Sequence, residues 1–107
     1  MTKPNVFIVA KGPHDYSKAA DKGELTYLFP DNKVNVFASD QLASDVAAKL
    51  AGSTPDDFLI LSGNMVAASI AFAVMLLKHG AVNVLIYSFK SDCYEVRTIR
   101  QGQCNLA

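Results

Sequence analysis

Apolar residues fall in short runs separated by polar stretches, and the spacing within each run predicts an element. Val6-Phe7-Ile8-Val9-Ala10 and Phe58-Leu59-Ile60-Leu61 are continuous apolar runs. Such runs suit strands buried on both faces, as in the middle of a parallel sheet. Leu25 to Phe29 and Val82 to Phe89 read as further strands, and Cys93 to Ile99 alternates as a half-exposed one. Phe29-Pro30-Asp31-Asn32 places proline where a type I turn favours it, and Lys33 to Ala38 returns. A hairpin over Leu25–Ala38 is therefore expected. Leu42, Ala43, Val46, Ala47, Leu50 and Ala51 recur at helical spacing. Ser39 and Asp40 suit the start of that helix, and Gly52 and Pro55 its end. A second helix runs from about Met65 to Lys78, apolar nearly all round, and Gly80 ends it.

The order is β-loop-β-β-α-β-α-β-β. Two strand-helix-strand crossovers predict an α/β fold: a single-layer mixed sheet with a parallel centre, antiparallel margins and two main helices. The length of 107 residues predicts one domain over residues 1–107, with 100–107 as a flexible tail. One sheet face cannot account for a helix apolar around its circumference. Either the hairpin covers its outer side or another chain does, so a twofold homodimer through this helix or an edge strand is expected.

Composition narrows the function. Half the residues are apolar and 19% are charged, which excludes a disordered chain. Ten Lys and Arg balance ten Asp and Glu. A duplex-binding protein shows a basic excess, and neither helix is basic, so nucleic acid is disfavoured as a partner. No signal-peptide pattern follows Met1, and the longest apolar stretch, Met65 to Leu77, is shorter than the roughly 20 residues that span a bilayer. No membrane partner is expected. Cys93 and Cys104 match no zinc spacing and form no CxxC, which suits two ordinary thiols in a reducing cytoplasm; no metal and no cofactor are expected.

Ligands of open α/β sheets gather beyond the carboxyl ends of the parallel strands. Two segments leave strands there if the first strand and the Phe58–Leu61 strand are parallel neighbours. The Lys11–Gly23 loop is long for a compact domain and carries Lys11, His14, Asp15, Tyr16, Ser17 and Lys18. His14 and Asp15 can exchange protons near neutral pH, and Lys11 and Lys18 can hold a phosphate. The plainer alternative is that Asp15 or Ser17 caps a short helical turn over Ser17–Lys22 and His14 packs locally. Ser62-Gly63-Asn64 opens the second helix, where free N–H groups favour anions and Gly63 permits close approach. The plainer alternative there is an N-cap by Ser62 or Asn64. Ser62 lacks the surroundings of a nucleophile elbow. Asp56-Asp57 reads as a solvated turn rather than a metal site, and His79 as a capping cation. Arg97 and Arg100 read as charges that oppose edge pairing.

Several strings together resemble a family. They are Val9-Ala10-Lys11-Gly12-Pro13-His14-Asp15-Tyr16-Ser17-Lys18-Ala19, Gly23-Glu24-Leu25, Ser53 through Gly63, and Lys78-His79-Gly80. They resemble a family of small proteins encoded by bacteriophages and found in environmental sequences, and the likeness runs from about Val6 to Thr98. The resemblance implies a phage origin and action in the host cytoplasm, and it carries no mechanism. It adds weight to the His14-Asp15-Tyr16-Ser17 loop and to Lys78-His79-Gly80.

The leading reading is a non-enzymatic protein that binds a small polar or phosphorylated ligand, such as an anion or nucleotide. Its site is Lys11, His14, Asp15, Tyr16, Ser17, Lys18, Ser62, Gly63 and Asn64. An alternative is an inhibitor that binds a host protein through a flat apolar patch including Phe89, Tyr87 or the hairpin, with no deep pocket. A second alternative is a nucleotide or phosphoester hydrolase using His14 and Asp15.

Overall fold

The computed structural model describes residues 3–11 and 14–104. Its strands are β1 (Asn5–Ala10), β2 (Glu24–Phe29), β3 (Phe58–Ile60), β4 (Ala81–Ser88) and β5 (Cys93–Arg100). Its helices are α1 (Ser39–Lys49) and α2 (Met65–His79), with short 3-10 turns at Ser17–Asp21 and Gln101–Cys104. The strands form one sheet in the order β2-β1-β3-β4-β5. β1 pairs in parallel with β2 and β3, β3 in parallel with β4, and β4 antiparallel with β5. This is the expected α/β class, a mixed sheet with a parallel centre and two main helices.

The continuous apolar run of β1 is explained by burial on both faces. Phe7 and Val9 point into a core shared with Leu59, Val82, Val84 and the two helices. Val6 and Ile8 point the other way, among Ile60, Leu85 and Ala19 of the 3-10 turn at Ser17–Asp21. α1 and α2 thus lie together on one face, and a single 3-10 turn partly covers the other.

The hairpin expected over Leu25–Ala38 does not form. β2 instead pairs in parallel with β1, and residues 30–38 make no strand. Local hydrogen bonding is the reason. The Asp31 carboxylate accepts from the Lys33 N–H at 3.2 Å, and the Asn35 amide oxygen from the Phe37 N–H at 3.1 Å. These Asx turns, with Asn32 at φ 58°, occupy backbone that a ladder needs.

α1 buries Leu42, Val46 and Leu50, spaced at helical intervals. Ala38 stands at its N-cap without a side-chain cap, so neither Ser39 nor Asp40 takes that role. It ends at Leu50, before Gly52. Lys78 replaces the expected glycine stop: its ammonium donates to the carbonyls of Leu50, at 3.1 Å, and Ala51. His79 Nε2 lies 2.9 Å from the Ser53 hydroxyl. Lys78 and His79 therefore tie α2 to the end of α1, beyond any effect on the α2 terminus itself. Gly80 closes α2 at φ 77°, its N–H donating to the Leu76 carbonyl at 2.8 Å. α2 buries Ala67, Ala71 and Met75 and packs beside α1, while Met65 and Leu77 remain exposed. β5 is an edge strand carrying exposed Glu95, Arg97 and Arg100, as its charges suggested. Gln101–Cys104 forms an exposed turn, tied by the Gln101 N–H to the Gly80 carbonyl at 2.9 Å, and residues 105–107 of the expected tail lie outside the described residues.

Asp57 departs from a solvated turn. It is 2% exposed, and its carboxylate accepts the Asn5 and Thr54 N–H groups, each at 2.8 Å. It thereby joins the start of β1 to the turn before β3. Asp57→Ala leaves two part-buried main-chain donors without their acceptor, so urea unfolding should show a loss of about 1–3 kcal/mol. The exposed neighbour should tolerate Asp56→Ala within about 0.5 kcal/mol.

Candidate functional site

The strand order decides whether the two candidate segments meet. β1 and β3 are parallel neighbours, so residues 11–16 and 61–64 leave the same edge of the sheet. The chain passes from β1 to β2 on one side of β3 and from β3 to β4 on the other. This reversal is where doubly wound sheets open a crevice.

The crevice has a built floor. The Ser62 hydroxyl donates to the Ala10 carbonyl at 3.2 Å and lies 3.5 Å from the Ala10 nitrogen. Gly63 has φ 70°, and a Cβ there would lie 2.6 Å from the Ala10 Cβ. Both the left-handed backbone and the close approach require glycine. The Asn64 side chain accepts from the Val66 and Ala67 N–H groups at 2.9 and 3.2 Å. Asn64 is thus an N-cap, and it occupies donors that an anion would need.

The long loop turns above this floor. The Asp15 carboxylate accepts from the Ser17 N–H at 2.9 Å, and the His14 ring meets Tyr16 edge-on at 6.3 Å between centroids. Asp15 is held below the ordinary carboxylate range, first by the Ser17 N–H and then by its hydroxyl. Tyr16 is buried against Tyr27, with centroids 6.4 Å apart. These contacts are those of a capped turn. Gly12 and Pro13 lie outside the described residues.

A groove of about 740 Å³ joins the two segments. His14, Asp15 and Tyr16 form one wall, Ser62 and Gly63 the floor, and Ile86, Tyr87 and Phe89 the opposite wall. It exists because β4 outruns β3. Val84 is the last β4 residue with a Cα partner on β3, yet β4 continues to Ser88 with β5 alone beside it. A second hollow of about 550 Å³ adjoins it through Leu61, Ser62 and Gly63 and runs toward Met65 and Phe72 on α2.

Lys11, Ser17, Lys18 and Asn64 do not line the groove. Lys11 is exposed, its N–H donating to the Phe29 carbonyl at 3.2 Å. Lys18 reaches away to Asp92 in the β4–β5 turn, with Nζ to Oδ2 at 2.5 Å. The Tyr87 hydroxyl donates to the same carboxylate. Lys18 and Tyr87 lower the Asp92 pKa, and the bond to Asp92 raises those of Lys18 and Tyr87. Burial raises that of Tyr94. The far wall was visible in the sequence only as a patch around Tyr87 and Phe89. Nothing in the local pattern places β4 beside β3.

Among the described residues, no helix is long and apolar enough to cross a membrane, and no three or more His, Cys, Asp or Glu group as a metal site. Cys93 and Cys104 are free thiols. The chain belongs to the family of Phage Pam3 gp32-like proteins, which it matches over residues 4–100. No curated protein and no solved structure matches it significantly.

Gly63→Ala should destabilise the fold by roughly 2–4 kcal/mol from combined strain and overlap. In a double-mutant cycle, Ala10→Gly should recover the overlap and leave the backbone strain; additive losses would exclude the Gly63–Ala10 contact. The Lys18–Asp92 pair has a defined pH window. A depressed Asp92 pKa stabilises the fold above the ordinary carboxylate value and loses that contribution as pH falls through the lower folded value. A raised Lys18 pKa stabilises below the ordinary lysine value and loses it as pH rises through the higher one. The melting difference between the protein and Asp92→Asn should be level between about pH 5 and 9 and shrink in acid. Asparagine tolerates the φ of 53° at this position, so the variant isolates the charge.

Proposed function

With membership of a phage protein family as the premise, we propose that the chain is a non-enzymatic binding protein acting in the host cytoplasm. It takes a small polar molecule in the groove at the carboxyl edge of the sheet. The observation that carries this reading is the convergence of the 14–16 and 62–63 segments on one groove of about 740 Å³ at the strand reversal. That volume lies in the range of small-molecule sites, and mostly apolar walls with a few polar groups are their usual make-up. His14, Asp15 and Ser62 supply the polar groups. The positions of Lys11 and Lys18 lend no support to a phosphate clamp.

A second reading, a surface for a host protein, is favoured by exposed apolar residues around the same edge. Phe89 is 91% exposed, Met65 82% and Ile86 52%. Large exposed apolar side chains lining two adjoining hollows suit an interaction surface.

Native mass spectrometry before and after incubation with a small-molecule extract of phage-infected cells separates the two. A retained increment of a few hundred daltons is expected, abolished by Ile86→Arg, which fills the groove from an exposed position. An unchanged mass together with stoichiometric capture of one host protein would transfer the function to the second reading. The same spectrum reports chain stoichiometry, and so tests the twofold dimer that exposed Met65 and Leu77 on α2 support.

A further inference from the structure

The charge, the aromatic wall and the open strand edge together restrict what this groove can hold. We propose that its ligand is an uncharged planar nitrogen heterocycle carried on a sugar, a nucleoside rather than a nucleotide. This inference rests on the groove-binding reading above and names its ligand class.

Charge comes first. Among the described residues no lysine or arginine lines the groove. Lys18 of the loop is paired with Asp92. The Val66 and Ala67 N–H groups in the first turn of α2 are taken by Asn64. Asp15 stands at the rim as a carboxylate held ionised by Ser17. A phosphate entering here would meet the Asp15 charge and lose its hydration without gaining a lysine or arginine partner, which is costly.

The wall supplies the recognition. Tyr87 packs edge-on against both Phe89, at 5.0 Å and 88° between rings, and Tyr94, at 5.4 Å and 65°. This cross-packing holds Tyr87 in place while the Phe89 ring stays open to solvent. An exposed ring beside a fixed one is a stacking platform, and stacking on aromatic side chains serves any base. Next to it, β4 from Ile86 to Ser88 pairs with β5 on one side only. The other side presents main-chain donors and acceptors that must find partners. A planar heterocycle carries donors and acceptors along its rim and can meet that edge as a further strand would.

The test is equilibrium dialysis of the intact protein against adenosine, guanosine, cytidine and uridine, and against their 5′-monophosphates. At least one nucleoside should bind, with its monophosphate tenfold or more weaker. Asp15→Asn should narrow that gap by strengthening the monophosphate, and Phe89→Ala should weaken the nucleoside about tenfold. Phe89 is a surface residue, so a folded variant is expected, checked by an unchanged melting temperature. A monophosphate that binds as tightly as its nucleoside overturns the proposal. So does a panel that fails entirely while the cell-extract mass increment persists, which leaves groove binding intact. Loss of both panel binding and increment overturns the groove-binding reading as well.

Discussion

β1 carries a double constraint from which the carboxyl edge follows. It is hydrogen-bonded on both edges, to β2 and β3, and buried on both faces. A strand so enclosed cannot shift register without exposing one apolar set and burying mismatched neighbours. The chain must leave it toward one side and return on the other, and the segments after β1 and β3 part at that point. Ser62 and Gly63 keep them from parting too far. One bridges to the Ala10 main chain, and the other leaves no side chain between the two backbones.

The distribution of cover then shapes the surface. α1 and α2 occupy one face, and Lys78 and His79 bind the end of α1 to α2. A 3-10 turn partly covers the other face, through Tyr16 and Ala19. Lys18 extends that turn to the β4–β5 hairpin, where Asp92 also receives Tyr87. One exposed carboxylate thus holds together the turn and the aromatic wall. Exposed ion pairs are weak in energy, so its effect is on placement more than on stability. The opposite edge of the sheet is fastened differently, by buried Asp57 on main-chain N–H groups. The amino edge is thus tied by main-chain hydrogen bonds, while the carboxyl edge stays open where β4 outruns β3.

Much of this was legible in the residues, element by element. The doubly buried run at Val6–Ala10, the capping asparagine before α2 and the glycine after it each have a local cause, and each stands where that cause puts it. Pattern and structure differ where short polar side chains compete with the backbone. Asp31 and Asn35 draw main-chain N–H groups into turns, and apolar Val34 and Val36 on either side of Asn35 imitate a strand. Asp57 looked solvated because its partners, Asn5 and Thr54, include one far away in sequence. For the site, His14, Asp15, Tyr16, Ser62 and Gly63 meet in the groove, while Lys11 and Lys18 stand outside it. The long lysine side chains gave no local sign of where their charge would settle.

The amino-acid sequence by itself determined the class of fold, the burial of β1 and the start and stop of α2. These depend on periodicity, caps and glycine, all of which act within a few residues. Only the tertiary structure decided which strands are neighbours, how far β4 outruns β3, and that Lys18 belongs to Asp92. Those outcomes join residues 74 apart in the chain for the ion pair and 52 apart for Ser62 and Ala10. Contacts at such separations follow from how crossovers pack on a common sheet, a condition met by the whole chain at once and written in no single stretch of it.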